Sequence, residues 1–230
     1  MNSIPRVIYQ TWWTKALPPS VQTTVNTMME LNGGYDYRLY DDREMQEFVD
    51  RFHDPVLSRC FNSMRVGAAK ADLWRYLVLY SEGGIYLDVD SVIHTSIDPL
   101  VGDDGCAVIS RENNPGLFVQ WCLMFPPRHP ILKRCIDRCV ENITVGKRGS
   151  VLEMTGPRVY SAAIVDHFGD SSVYHRTDEN INVSKNTTGV RVYGHDYAGY
   201  AHFMHPNRDE LYATKPHWTV QQQMGFSHEN

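Results

Sequence analysis

The stretch Ala68–Asp90, AAKADLWRYLVLYSEGGIYLDVD, decides how this 230-residue chain folds. From Ala68 to Tyr80 it is rich in alanine and leucine and free of glycine and proline, which predicts a helix, and Gly83-Gly84 marks its end. Ile85-Tyr86-Leu87 follows at once as a short apolar, β-prone run that predicts a buried strand. That strand delivers Asp88-Val89-Asp90 at its carboxyl end, where open α/β sheets place their ligands. The expected class is therefore α/β, with the two aspartates as a candidate site.

Upstream, Arg6–Thr11 is β-branched and aromatic between Pro5 and Pro18-Pro19, and reads as the first buried strand. Ser20 is positioned to cap a helix carrying Val21, Val25, Met28, Met29 and Leu31 on one face, ended by Gly33-Gly34. Tyr35–Tyr40 alternates as a strand. Asp41 or Asp42 caps the next helix, with Met45, Phe48, Val49 and Phe52 on its apolar face. Downstream, strands are expected at Cys106–Ser110 and Leu117–Phe125, and helices at Ile131–Ile143 and Pro157–Phe168. No repeat or low-complexity linker divides the chain, so the reading is one α/β domain over 1–230 with an irregular carboxyl-terminal part.

Composition narrows the function. With 42% hydrophobic and 21% charged residues the chain can build a substantial core, and no apolar stretch approaches the ~20 residues of a membrane span. Twenty-seven acidic against 22 basic residues, without a long run of like charge, argues against nucleic acid as a partner. The amino terminus lacks a basic region followed by an apolar core, so the expected compartment is the cytoplasm. None of the five cysteines forms a C-x-x-C pair, and they read as reduced, buried thiols. Three N-glycosylation sequons, at Asn142, Asn182 and Asn186, read as chance.

Four groups could carry chemistry. In extended chain, residues i and i+2 project to the same side, so Asp88 and Asp90 can jointly hold a hard divalent cation through oxygen ligands, or else cap a turn. Asp72 and Arg75 share one face of an otherwise apolar helix. They are either a solvated i, i+3 ion pair or a clamp for a sugar, with the carboxylate accepting from hydroxyls and the guanidinium donating to oxygens. Trp12 and Trp13 follow the first strand, where an aromatic face could stack on a base or simply pack in the core. His195, His202, His205 and His217 gather near the end of the chain and could supply a metal ligand.

Three blocks together resemble glycosyltransferase family 32, the DXD-containing sugar transferases: IPRVIYQTW at Ile4–Trp12, the A-x-x-x-D-x-x-R-Y helix leading into G-G-x-Y-x-D-x-D over Ala68–Asp90, and Thr155-Gly156-Pro157. This family includes fungal initiating α-1,6-mannosyltransferases, sphingolipid mannosyltransferases and α-1,4-galactosyltransferases. The resemblance implies a GT-A fold, with a donor-binding half over about 1–110 and the acceptor side and carboxyl-terminal segment over about 111–230. It implies a Rossmann-like mixed sheet and a nucleotide-sugar donor (GDP-mannose or a UDP-hexose), with Mn2+ or Mg2+ held by the DXD, and transfer to a saccharide or glycoconjugate with retention of configuration. Asp88 and Asp90 would hold metal and diphosphate, Asp72 and Arg75 the donor sugar, and Gln10 or Trp12 the base. Gly84 and Tyr86 would belong to the donor site and Thr155 and Gly156 would lie near the acceptor. His217, preceding Trp218, would complete the metal shell, with His205 as the alternative, and Asp88, Asp90 and Arg75 would form the catalytic group. The chain departs from the family in its Lys215-Pro216-His217-Trp218-Thr219 ending and in lacking an Asn near Gln120 and Trp121.

Two other classes remain open at this stage. Ile85–Val92 also resembles the first motif of haloacid dehalogenase-type phosphatases, in which Asp88 would be nucleophile and Asp90 acid and base. A non-catalytic sugar-binding module would suit the 11% aromatic content.

Overall fold

The computed structural model describes residues 3–147, 149–175, 189–203 and 208–223. In chain order the elements are β1 (Val7–Thr11), α1 (Pro19–Leu31), β2 (Asp36–Tyr40), α2 (Asp42–Asp50), α3 (Pro55–Ser63), α4 (Gly67–Glu82), β3 (Gly84–Leu87), β4 (Ser91–Ile93), α5 (Asp98–Val101), β5 (Ala107–Ser110) and β6 (Cys122–Phe125). They continue with α6 (Pro130–Thr144), α7 (Val151–Met154), α8 (Pro157–Phe168), a 3₁₀ turn at Ser171–His175, β7 (Val190–Tyr193), α9 (Asp196–Gly199), β8 (Ala201–Phe203), α10 (Arg208–Thr214) and α11 (Trp218–Gln223).

Six strands form a mixed sheet in the order β2-β1-β3-β6-β5-β7, and β4 pairs with β8 in a separate antiparallel ribbon. Strand β1 is parallel to both β2 and β3, whereas β6 runs antiparallel to β3. After β1 the chain passes to β2 on one side and then to β3 on the other, so the β1/β3 boundary is the topological switch point where such sheets open a ligand crevice. The DXD aspartates follow β3 at that boundary.

Alternation along the strands builds a core on each face of the sheet. Val7, Tyr9, Tyr86, Leu123 and Phe125 face a cluster shared with Phe48, Phe61, Leu73, Leu132 and Tyr160. Ile8, Ile85, Leu87, Val108 and Met124 join Met28, Ile97, Leu100 and Tyr197 on the other side. Helix α4 is enclosed along its length: Ala69 and every residue from Asp72 through Leu79 are buried, including Asp72 and Arg75. From Asp72 to Leu79 no side of it meets water, so the solvated ion-pair reading of Asp72 and Arg75 does not hold.

Local signals explain most boundaries. Asp41 and Glu44 form a capping box at α2, with Glu44 N–H donating to Asp41 Oδ1 at 2.9 Å and Asp41 N–H to Glu44 Oε2 at 3.1 Å. Helix α1 begins at Pro19 behind Pro18 rather than at a Ser20 cap, because proline's fixed φ suits the first helical position. Asp54 caps α3, which the sequence reading lacks, by accepting from the N–H of Val56 at 2.8 Å and Leu57 at 3.2 Å. Gly83 (φ 69°) ends α4, and Gly84 (φ 110°) starts β3 so close to its neighbour that an added Cβ would lie 2.7 Å from Val7 Cγ1.

The expected strand at Leu117–Phe125 is shorter than predicted and begins at Cys122. Just before it the Gln120 carbonyl is drawn away to the site, accepting from Arg75 Nη1 at 2.8 Å, while the Trp121 carbonyl accepts from the Asp88 N–H at 2.8 Å in register with β3. All five cysteines are free and buried. Asn142 lies within α6 with its amide donating to Met154 O at 3.1 Å, while Asn182 and Asn186 lie outside the described residues.

Candidate functional site

A cleft of about 660 Å3 opens at the switch point, and its walls include Trp12, Asp72, Arg75, Tyr86, Asp88, Asp90, Gln120, Tyr212 and His217. Its base is a buried network on α4. Arg75 Nη2 reaches Asp72 Oδ1 at 3.2 Å and Asp88 Oδ1 at 2.9 Å, Nη1 donates to Gln120 O at 2.8 Å, and Nε to Ala71 O at 3.3 Å. Two guanidinium N–H groups thus donate to backbone carbonyls while Nη2 faces the two carboxylates, and the group lies 4.3 Å from the Tyr86 ring centre. Asp72 is equally occupied: besides Arg75, Gln120 Nε2 donates to its Oδ1 at 2.8 Å and Thr155 Oγ1 to its Oδ2 at 2.8 Å. Burial pushes the Asp72 carboxyl up, against the pull of Arg75, Gln120 and Thr155. Burial also works against the Arg75 charge, but Asp88, Tyr86 and Asp72 outweigh it and hold the guanidinium protonated.

The two DXD carboxylates are held differently. Asp88 Oδ1 accepts from Tyr86 OH at 2.7 Å and is ion-paired with Arg75 Nη2 at 2.9 Å. Its backbone is fixed by the Trp121 carbonyl and by Gln10 Nε2, which donates to Asp88 O at 3.2 Å. Asp90, 6% exposed, accepts from Tyr212 OH on Oδ2 at 2.7 Å. Asp88 is pushed up to about 7 by burial first, with the Asp90 charge adding to it and Arg75 opposing. A carboxylate pair that favours holding a proton at neutral pH is one whose mutual repulsion a bound cation would relieve.

A donor set of two carboxylates with further positions for phosphate and water oxygens suits Mg2+ or Mn2+, hard cations that are bound through few protein oxygens. Among the described residues, one oxygen of each carboxylate, Asp88 Oδ2 and Asp90 Oδ1, carries no side-chain hydrogen bond or ion pair, so each has a free ligand atom. The residues fit the ion.

Several predicted site residues stand elsewhere than the sequence implied. Gln10, 1% exposed, is behind the cleft wall between Tyr37 OH (2.8 Å) and the Asp88 carbonyl, and so supports the DXD turn instead of meeting a base. Gly84 lies against Val7 at the far end of β3, where it is needed for close strand packing. Thr155 is buried beneath the cleft on Asp72. Gly156 caps α8 with no room for a Cβ, which would stand 2.9 Å from Leu152 Cα. Both are supports and not part of the cleft wall. His217 lines the cleft, but among the described residues no three His, Cys, Asp or Glu side chains gather as a metal set, so it does not complete a shell with Asp88 and Asp90. Its Nδ1 is 2.8 Å from Thr219 Oγ1, and its ring stacks edge-on to Tyr212 at 4.9 Å. His195 is exposed, and His205 lies outside the described residues.

The structure adds Gln120 and Tyr212, which no local pattern singles out: their partners lie 48 and 122 residues away. It also places Trp13, 41% exposed with Lys215 Nζ 5.9 Å from its ring, in the cleft wall beside Trp12.

Comparison with known proteins agrees with this geometry. Residues 18–106, spanning α1 through α5 and including the DXD, match the model of the glycosyltransferase sugar-binding region containing the DXD motif. That part of the chain is similar to the DXD-containing glycosyltransferases. The chain is 30% identical to inositol phosphoceramide mannosyltransferase 3 of Schizosaccharomyces pombe over 134 residues, 58% of the chain and 36% of that protein. It is 22% identical to the initiation-specific α-1,6-mannosyltransferase of Candida albicans over 208 residues, 72% of the chain and 54% of that protein. The matches thus cover only about a third to a half of the length of these two curated relatives. Its fold is shared with the PaToxG glycosyltransferase, at a TM-score of 0.62 and 21% identity over 75% of this chain and 72% of that one. The GT-A fold expectation therefore holds. Among the described residues no helix is long and apolar enough to cross a membrane.

Proposed function

We propose that this chain is a glycosyltransferase that moves a hexose, with mannose favoured over galactose or glucose, from a nucleotide-sugar to a hydroxyl of a saccharide or glycoconjugate, with retention of configuration and dependence on Mn2+ or Mg2+. The observation that carries the reading is the pair Asp88 and Asp90 at the open end of β3, each offering one unengaged oxygen to the cleft and backed by the buried Arg75. Bound between these carboxylates and a diphosphate, the cation would supply positive charge to the leaving group as the sugar–phosphate bond breaks.

The protein's own residues set the stage for that step. Arg75 and Tyr86 hold Asp88 in one orientation, so the carboxylate needs little reorganisation as negative charge builds on the departing oxygen. Arg75 acts on the reacting centre mainly through Asp88, with which it is ion-paired at 2.9 Å. Asp72 and Gln120 form a polar base beneath the cleft that holds Arg75 in place. Trp12 and Trp13 provide aromatic faces for a base, and the buried Trp12 Nε1, which has no hydrogen-bond partner among the described residues, provides a donor. The mannose preference rests on the similarity to the two mannosyltransferases described above. The five free, buried thiols favour a reducing compartment such as the cytoplasm.

Thermal unfolding with UDP, GDP, UDP-glucose, UDP-galactose and GDP-mannose, each with Mn2+ and with chelator, tests the reading. A ligand that binds only the folded state at ~100 times its Kd adds ~2.7 kcal/mol. A cation-dependent rise with one base is expected, and an unmoved transition for every nucleotide would refute the proposal.

A further inference from the structure

Asp90 is controlled from the far end of the chain. Helix α10 brings Tyr212 OH to 2.7 Å from Asp90 Oδ2, across 122 residues. The contact is built in. Leu211, next in sequence, is fully buried in a small cluster with Val21 of α1 and Val89, the middle residue of the DXD, and the half-buried Trp12 and Leu17 pack against it. The Tyr212 ring stands edge-on to Trp12 at 6.2 Å and to His217 at 4.9 Å. Burial and the neighbouring Asp90 carboxylate keep the Tyr212 hydroxyl protonated, so it acts as a donor.

Asp88 receives matching treatment from Arg75 and Tyr86, both on Oδ1. Each carboxylate thus has one oxygen taken by the protein and one left over. A carboxylate whose second oxygen is occupied by a donor binds a cation through a single oxygen, which suits the near-ideal octahedron of Mg2+ and Mn2+. Ca2+ takes six to eight oxygens and readily accepts a carboxylate through both. Resting on the cation reading given above, we propose that Tyr212 is a positioning residue that restricts Asp90 to single-oxygen coordination and thereby makes the site select Mn2+ and Mg2+ over Ca2+. The two carboxylates differ in how firmly this is enforced. Asp88 Oδ1 has Tyr86 as donor and Arg75 as ion-pair partner, whereas Tyr212 is the sole side-chain donor to Asp90 Oδ2 among the described residues.

The test measures cation-supported binding of UDP and of GDP by calorimetry, with Mn2+, Mg2+ or Ca2+, for the wild type, Tyr212→Phe and Tyr86→Phe. Phenylalanine keeps the ring against Trp12 and removes only the hydroxyl. A metal-free unfolding transition within a few degrees of wild type confirms folding, and Leu211→Met, which alters the packing of α10 but leaves the hydroxyl in place, separates loss of the hydroxyl from loosening of the helix. Removing a group that orients a metal ligand typically costs roughly 10–100-fold in metal affinity. Tyr212→Phe is expected to weaken Mn2+-supported binding about tenfold and Ca2+-supported binding much less, so that the Mn2+/Ca2+ ratio falls. That ratio should hold in Leu211→Met and fall less in Tyr86→Phe, where Arg75 still occupies Asp88. An unchanged ratio in Tyr212→Phe, or an equal fall in Leu211→Met, overturns the assignment to the Tyr212 hydroxyl while leaving the cation reading intact. Wild-type binding that is indifferent to every cation overturns the cation reading itself, and this inference with it.

Discussion

Replacing Arg75 with Met removes the cation that faces both Asp72 and Asp88 at the base of the cleft. Asp72 and Arg75 are 4% and 3% exposed, and Arg75 makes ion pairs at 3.2 and 2.9 Å with Asp72 and Asp88 and hydrogen bonds to two backbone carbonyls. Met fills much of the space but leaves Asp72 buried without its counter-charge and the Gln120 carbonyl without its donor. Breaking a buried pair from one side costs about 3–5 kcal/mol, and for a domain of this size each kcal/mol is worth roughly 2–4 °C, so the transition should fall by roughly 6–20 °C. The loss should depend on pH in a defined direction. Asp72 is already shifted up by burial, and Asp88 up to about 7, and without Arg75 both rise further. A carboxyl whose folded pKa is raised contributes stability that is present below its unfolded value, near 4, and lost as pH rises through the folded one. The deficit of Arg75→Met relative to wild type should therefore be largest at pH 8 and shrink at pH 5, and adding Asp72→Asn should recover much of it at pH 8. Urea or thermal unfolding at the two pH values reads this directly. A deficit below about 1 kcal/mol, well short of that expected for a broken buried pair, or one that is the same at both pH values and indifferent to Asp72→Asn, would show that the network is not held by charge.

Asp90→Asn should abolish cation-dependent stabilisation by nucleotide while leaving the metal-free unfolding transition near that of wild type, because the amide oxygen can still accept from Tyr212; retained cation dependence in unfolding assays would count against the DXD site. His129 caps α6 through Nδ1 and is buried, and burial, assisted by His167, brings it down to about 3. The stability of its neutral form is present above pH 6.5 and lost as pH falls from there toward 3, by about 2 kcal/mol at pH 5. His129→Asn keeps a capping acceptor and should flatten the acid limb of a stability–pH curve. Gly84→Ala should cost 2 kcal/mol or more, about the loss typical of a strained residue at positive φ with a steric clash, since its φ is 110° and the new Cβ would meet Val7 at 2.7 Å; chemical denaturation of the purified variant measures it.

Much of this protein was legible without coordinates because its signals are local. The Ala68–Tyr80 helix, the Gly83-Gly84 stop and the Ile85–Leu87 strand follow from propensity and periodicity over consecutive residues, and the structure places α4 and β3 within two residues of them. The position of the DXD at a strand's carboxyl end is likewise a property of one short segment. The strand expected from Leu117 was too long because the Gln120 carbonyl is claimed by Arg75, a partner that a pattern of side chains does not disclose.

Side-chain partnerships across the fold were decided only by tertiary structure. Asp72 and Arg75 looked like a pair that could point at solvent or sugar, yet α4 is enclosed, and burial turned them into a scaffold beneath Asp88. Thr155 and Gly156, read as neighbours of an acceptor, instead support Asp72 and the start of α8, and Gln10 braces the DXD backbone from behind. His217 reached the cleft but not the aspartates as a ligand set, while Tyr212, unremarkable in sequence, holds Asp90. The sequence by itself determined which segments become helix and strand and that two carboxylates end β3, because those outcomes depend on neighbours a few residues apart. Which oxygen of each carboxylate remains free depended on residues 2, 13 and 122 positions away meeting in one place, and only the packed sheet and helices bring them there.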